Sequence, residues 1–125
     1  MRVLNKLGVR VTVRSEAFCC GALAHHIGEA SAARSAIRST LLAWRDEIRK
    51  GEVDAIVVNA SGCGTMVKDY EHVVGDDPEL KDIAAQVAGL TCDISELLAD
   101  LPLNTIIDPA PEGRGVVAYH SACSL

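Results

Sequence analysis

Ala55-Ile56-Val57-Val58-Asn59-Ala60-Ser61-Gly62-Cys63-Gly64 sets a short unbroken apolar run directly before a cysteine flanked by glycines. The run has the form of a strand buried on both faces of a parallel sheet, where helices cover both sides and no polar alternation is needed. Asn59 to Gly64 then reads as a loop at the carboxyl end of that strand, with a helix from Thr65 to about Val73 behind it. Upstream, Ala33, Ile37, Leu41, Trp44 and Ile48 recur at intervals of three and four, which places them on one face of a helix that Gly51 stops. Further upstream, Val9-Arg10-Val11-Thr12-Val13 alternates and is rich in β-branched residues, the pattern of a strand. Strand, helix and strand in this order predict a βαβ unit, and hence an α/β domain with a parallel sheet.

The same rule continues outward. Arg2 to Leu7 reads as a short helix stopped by Gly8. Beyond the central run, Asp77 and Pro78 form the N-cap and first position of a helix whose buried face is Leu80, Ile83, Ala84 and Val87, ended by Gly89. Asp93 and Glu96 have the spacing of a capping box for a short helix ending near Asp100. Ile106-Ile107 reads as a brief strand and Val116-Val117-Ala118-Tyr119 as a further one, with His120 and Cys123 just past its end. The cysteine loops therefore belong at the carboxyl ends of strands, where ligands bind in open parallel sheets.

The chain has 125 residues, enough for one domain, and 49% of them are hydrophobic. Aromatic residues make up 3%, with Trp44 the single tryptophan, so stacking platforms for single-stranded nucleic acid are excluded and the core is aliphatic. A net charge of -5 disfavours nucleic acid and anionic membrane surfaces as partners. No apolar run approaches the roughly 20 residues of a membrane-spanning helix, so membrane association is expected only through a partner. Five cysteines cannot all pair, and no export signal opens the chain, so the expected setting is reduced and cytoplasmic. Met1 opens inside a helix pattern and Leu125 follows directly on a cysteine motif, so the sequence reads as a piece of a longer protein.

The chemistry rests on thiols. Cys19-Cys20-Gly21 places two thiols side by side, an arrangement that suits metal or redox chemistry, or two small buried apolar side chains. The parallel topology brings Cys19, Cys20 and Cys63 to one sheet edge, with Gly21, Gly62 and Gly64 allowing close approach of a bulky ligand. Thiolate-rich sites suit iron-sulfur clusters or zinc. Cys63 near a helix start is expected to have a lowered thiol pKa. The chain has no C-x-x-C pair, since Ala60 stands where its first cysteine would be. Cys92 reads as a buried structural cysteine, His25, His26 and His72 as solvent-facing, and Tyr70 as partly packed on a solvated helix face. His120 with Cys123 lacks the orienting third group of a nucleophile pair, and Gly62-Cys63-Gly64-Thr65 lacks the lysine of a phosphate loop.

Phe18-Cys19-Cys20-Gly21-Ala22-Leu23-Ala24-His25-His26, Val58-Asn59-Ala60-Ser61-Gly62-Cys63-Gly64-Thr65-Met66-Val67-Lys68-Asp69-Tyr70 and Ala118-Tyr119-His120-Ser121-Ala122-Cys123-Ser124-Leu125 together resemble the iron-sulfur subunits of bacterial glycolate oxidases. Those subunits belong with the CCG cysteine-rich domains, a group that also includes heterodisulfide reductases and the lactate-utilisation proteins. The resemblance implies a longer chain, with a ferredoxin-like part holding two [4Fe-4S] clusters followed by two CCG domains. Residues 1–115 would be most of the first CCG domain and 116–125 the start of the second. Cys19 and Cys20 would take the paired-thiol positions, Cys63 the last position of the family's C-x-x-C, and Cys123 the opening of the second set. Cys19, Cys20 and Cys63 would bind an iron-sulfur cluster, bind zinc, or serve at a subunit contact. The implied partners are flavin-containing subunits that oxidise glycolate, in a cytoplasmic complex lying against the inner face of the membrane. Without ferredoxin-type cysteine runs, the chain alone is expected to be inactive.

Overall fold

The computed structural model describes residues 1–15, 19–106, 116 and 118. After α1 (Arg2–Lys6) come α2 (Ala22–His26), α3 (Ala30–Arg49), β1 (Ile56–Val58), α4 (Ser61–Lys68), α5 (Tyr70–Val74), α6 (Lys81–Leu90), β2 (Thr91–Asp93) and α7 (Ile94–Ala99). A single 3-10 turn follows at Leu103–Thr105. β1 and β2 are parallel, with Ile56 opposite Thr91, Val57 opposite Cys92 and Val58 opposite Asp93. The chain is thus α/β, its parallel pair joined through α4, α5 and α6.

The long amphipathic helix forms where its periodicity places it. Ile37 and Leu41 are fully buried in the core, and Trp44 and Ile48 pack against it. Gly51, at φ +71, ends α3 as expected. From the other side Tyr70, Leu80 and Val87 complete the largest fully buried group. The outer arginines of α3 reach the turn before α6: Arg34 bonds Asp77 at 2.5 Å, and Arg38 grips both carboxylate oxygens of Glu79 at 2.7 Å. These pairs are exposed and fix geometry more than they stabilise.

Several expectations are corrected. Residues 9–13 form no strand, and Val13 is 70% exposed. Arg10 bonds Glu52 and Arg14 bonds Glu47, so this segment runs beside the end of α3 instead of pairing with β1. β-branched alternation is realised as a strand only where a partner edge is within reach. The βαβ expected around α3 is therefore absent, and the parallel pair uses β2, which the sequence marks only as the lead-in to a capping box. β1 is not buried on both faces, since Val57 is 37% exposed. The loop expected over 59–64 is shorter, because α4 starts at Ser61 and carries Gly62, Cys63 and Gly64 in its first turns. Extended Ala60 turns the chain, and its carbonyl accepts the Gly64 amide at 2.9 Å. Two glycines cost this helix roughly 2 kcal/mol of intrinsic propensity, which burial of Met66 and Val67 offsets.

Asp77 does cap, one turn ahead of α6 proper. Its carboxylate accepts the Glu79 amide at 2.9 Å and its carbonyl accepts the Lys81 amide at 2.9 Å. α6 passes Gly89 and ends at Leu90. The capping box of α7 forms as expected, with Ser95 donating to Asp93 and the Asp93 amide donating to Glu96. Ile106 lies in a turn, Ile107 lies outside the described residues, and most of the strand expected at 116–119 does too.

These carboxylates give the fold an acid limb. The Glu79 amide holds Asp77 below the usual carboxylate range, and the Ser95 hydroxyl and amide do the same for Asp93. A folded-state pKa below the unfolded value contributes stability that is complete above the unfolded value and lost as pH falls through the folded one. Thermal midpoints are therefore expected to fall below about pH 4, and Asp77→Asn and Asp93→Asn each to flatten that slope when melts are compared between pH 3 and 7.

Candidate functional site

The thiol corner is built by three helices. Gly21 is the N-cap of α2 in a left-handed conformation, φ +82. A β-carbon there would stand 3.1 Å from the Ala33 carbonyl oxygen and 3.2 Å from Cγ1 of Ile37, so only glycine lets the corner lie against α3. Cys20 is half-buried and packs on the core, while Cys19 is exposed. The Gly21 amide donates to Cys19 Sγ at 3.4 Å. Cys63, on the first turn of α4, is half-buried.

The neighbouring Cys20 thiol is the largest influence on the Cys63 thiol, followed by burial and then by the charges of Cys20 and Cys19, and all of them push its pKa up. The lowering expected from the helix start is outweighed, because neighbouring thiols and partial desolvation oppose a thiolate more strongly. Crowded thiols of this kind repel once ionised, and a bound cation relieves that repulsion. Thiolates are the donors that thiophilic metals and clusters take. Among the described residues, no group of three or more Cys, His, Asp or Glu side chains is closed around a metal position.

Two residues that sequence reading does not assign to the site hold it in place. Tyr70 is fully buried, not partly packed, and its hydroxyl donates to the Cys20 carbonyl at 2.8 Å. Thr40, buried within the inner face of α3, donates to the Cys19 carbonyl at 3.0 Å. Burial lifts the Tyr70 phenol far above its ordinary range, so it stays a donor. The available signal was the stripe Met66, Tyr70 and Val74, which makes Tyr70 a core residue whose hydroxyl must find a partner.

The other candidates lie apart. Cys92 is half-buried on β2 opposite Val57, and burial raises its thiol pKa. His25 and His26 are exposed, their rings edge to face at 5.7 Å. His72 is exposed at an open polar cleft of ≈ 390 Å³ that Lys68, Glu71 and Lys81 also line. Gly62 has open space where a β-carbon would stand, and Gly64 would meet only Val58, at 3.9 Å. Cys123 lies outside the described residues. No helix among the described residues is long and apolar enough to cross a membrane.

The profile of the CCG cysteine-rich domain matches residues 1–68, which contain Cys19, Cys20, Cys63 and both glycines that flank Cys63. The chain belongs to the CCG cysteine-rich domain family. Among curated relatives, the glycolate oxidase iron-sulfur subunit of Escherichia coli (strain K12) is 37% identical over 124 residues, covering 99% of this chain and 30% of its own length. The probable glycolate oxidase iron-sulfur subunit of Bacillus subtilis (strain 168) is 32% identical over 125 residues, 27% of its length. Lactate utilization protein A of Geobacillus kaustophilus (strain HTA426) is 26% identical over 125 residues, 49% of its length. This CCG chain thus spans less than half the length of each of these relatives. No solved structure matches it significantly.

Proposed function

We propose that this chain is most of the first CCG domain, residues 1–115, of an iron-sulfur electron-transfer subunit in a glycolate-oxidising complex, with 116–125 opening a second CCG domain. The observation that carries the reading is that Cys19, Cys20 and Cys63 all lie within the segment that defines the family, with the Cys20 thiol close enough to bear on that of Cys63. In this reading Cys19, Cys20 and Cys63 hold a thiophilic centre, Cys123 belongs to the second set, Gly62 and Gly64 leave room for the centre, and Gly21 seats the thiol pair against α3. When bound, a [4Fe-4S] cluster supplies one-electron transfer. The chain's own part is to present the thiols, shield Cys20 and Cys63 from bulk water, and hold the corner rigid through α3 and α5. Flavin-containing partner subunits would oxidise glycolate to glyoxylate, a change of two electrons and two protons. The electrons would pass through the ferredoxin-like part of the full-length chain to a quinone or other acceptor. The complex would be cytoplasmic, held at the inner face of the membrane by its partners.

The test is metal and sulfide analysis, with visible absorption, on the full-length protein purified without oxygen. Cys20→Ser and Cys63→Ser are each expected to remove the metal of this site while leaving the ferredoxin-type clusters in place. Unchanged metal content in both variants would sink the reading. Metal loss without loss of visible absorption would assign zinc to the site, the second reading, which Ala60 in place of a fourth thiol favours. The chain alone, lacking any C-x-x-C run, is expected to show no glycolate turnover.

A further inference from the structure

Cys19 and Cys20 are adjacent, and each of their carbonyl oxygens receives a hydroxyl from a different helix. Thr40 of α3 donates to Cys19 at 3.0 Å and Tyr70 of α5 donates to Cys20 at 2.8 Å. Both hydroxyls come from buried residues, so neither bond is readily exchanged for one to water. Fixing two successive carbonyls fixes the two peptide planes that flank the Cys20 α-carbon, and with them the direction in which the Cys20 side chain leaves the backbone. Gly21, pressed on α3 by the absence of a β-carbon, anchors the third point. A phenylalanine would fill the volume of Tyr70 equally well; only the hydroxyl reaches the thiol corner.

We propose that Tyr70 and Thr40 are positioning residues of the thiol centre, whose hydroxyls hold the Cys20 and Cys19 carbonyls and so fix the direction in which the Cys20 thiol is presented. For its consequence on metal affinity this rests on the thiol-centre reading above. Groups that orient metal ligands without touching the metal typically control about 10- to 100-fold in affinity.

The experiment uses the full-length protein, with the site stripped of metal and titrated with Co²⁺, the thiolate-to-cobalt absorption being taken as the part that Cys63→Ser removes. Tyr70→Phe and Thr40→Val are expected to weaken Co²⁺ binding by about tenfold or more, and Thr40→Ser to restore it. Amide exchange in the metal-free protein is the second readout. Tyr70→Phe is expected to speed exchange at Gly21 and His25, whose amides bond within the corner, by up to about tenfold, with α6 unchanged. A core role alone would shift melting temperature and exchange in α6 instead. Unchanged Co²⁺ affinity in Tyr70→Phe, or failure of Thr40→Ser to recover it, overturns the proposal. If the wild type shows no thiolate-to-cobalt absorption, the metal reading fails and exchange decides for the clamp: faster exchange confined to the corner supports it, and unchanged exchange at Gly21 overturns it.

Discussion

Replacing Gly21 with alanine is expected to destabilise the chain by about 3 kcal/mol and to disturb the thiol corner first. Two costs add. An L-residue at φ +82 pays roughly 1–2 kcal/mol for its backbone conformation. The new methyl would also stand 3.1 Å from the carbonyl oxygen of Ala33 and 3.2 Å from Ile37, contacts with helix backbone and a fully buried side chain that have little freedom to retreat. Overpacking of this kind typically costs about 1–3 kcal/mol. Chemical denaturation of the wild type and variant measures the sum. The variant's Cys19 and Cys20 should also react faster with an alkylating agent, because the corner relaxes by moving away from α3. A loss under about 1 kcal/mol would mean that α2 shifts freely, and that its close approach to α3 is not required.

Leu41→Ala is expected to cost about 3 kcal/mol, within the roughly 2–5 kcal/mol observed for such truncations in cores. Leu41 is fully buried in α3, in the same cluster as Ile37, Ile56 and Tyr70. Its removal opens a cavity where the long helix meets the strand and the helix beneath the thiols. Arg38→Ala, one turn away on the outer face, is the matched comparison. It breaks a bidentate pair with Glu79, but both side chains are about half exposed, so no more than a marginal loss is expected. Equal losses for the two variants would contradict the assignment of the core to the inner face of α3.

What could be read from the sequence was whatever short-range chemistry enforces. The inner face of α3, the stop at Gly51, the buried face of α6 and the Asp93 capping box each depend on residues a turn or less apart, and each is present. The cysteine motifs were legible for a different reason. Thiols and glycines at Cys19-Cys20-Gly21 and Gly62-Cys63-Gly64 are an uncommon composition, and the family match covers both. The strand at 9–13 failed because alternation states a preference and not a partner. β2 escaped notice because three residues squeezed between a helix and a capping box carry no periodicity of their own.

The sequence by itself determined the mix of helix and parallel strand, the helical core and the family's cysteine motifs, since periodicity, caps and residue chemistry are local. Only the tertiary structure decided which strands pair, and that Tyr70 and Thr40 bond the carbonyls of the paired cysteines. Those two hydroxyls join residues 21 and 50 positions apart, and no local preference encodes which distant carbonyl a buried hydroxyl will find.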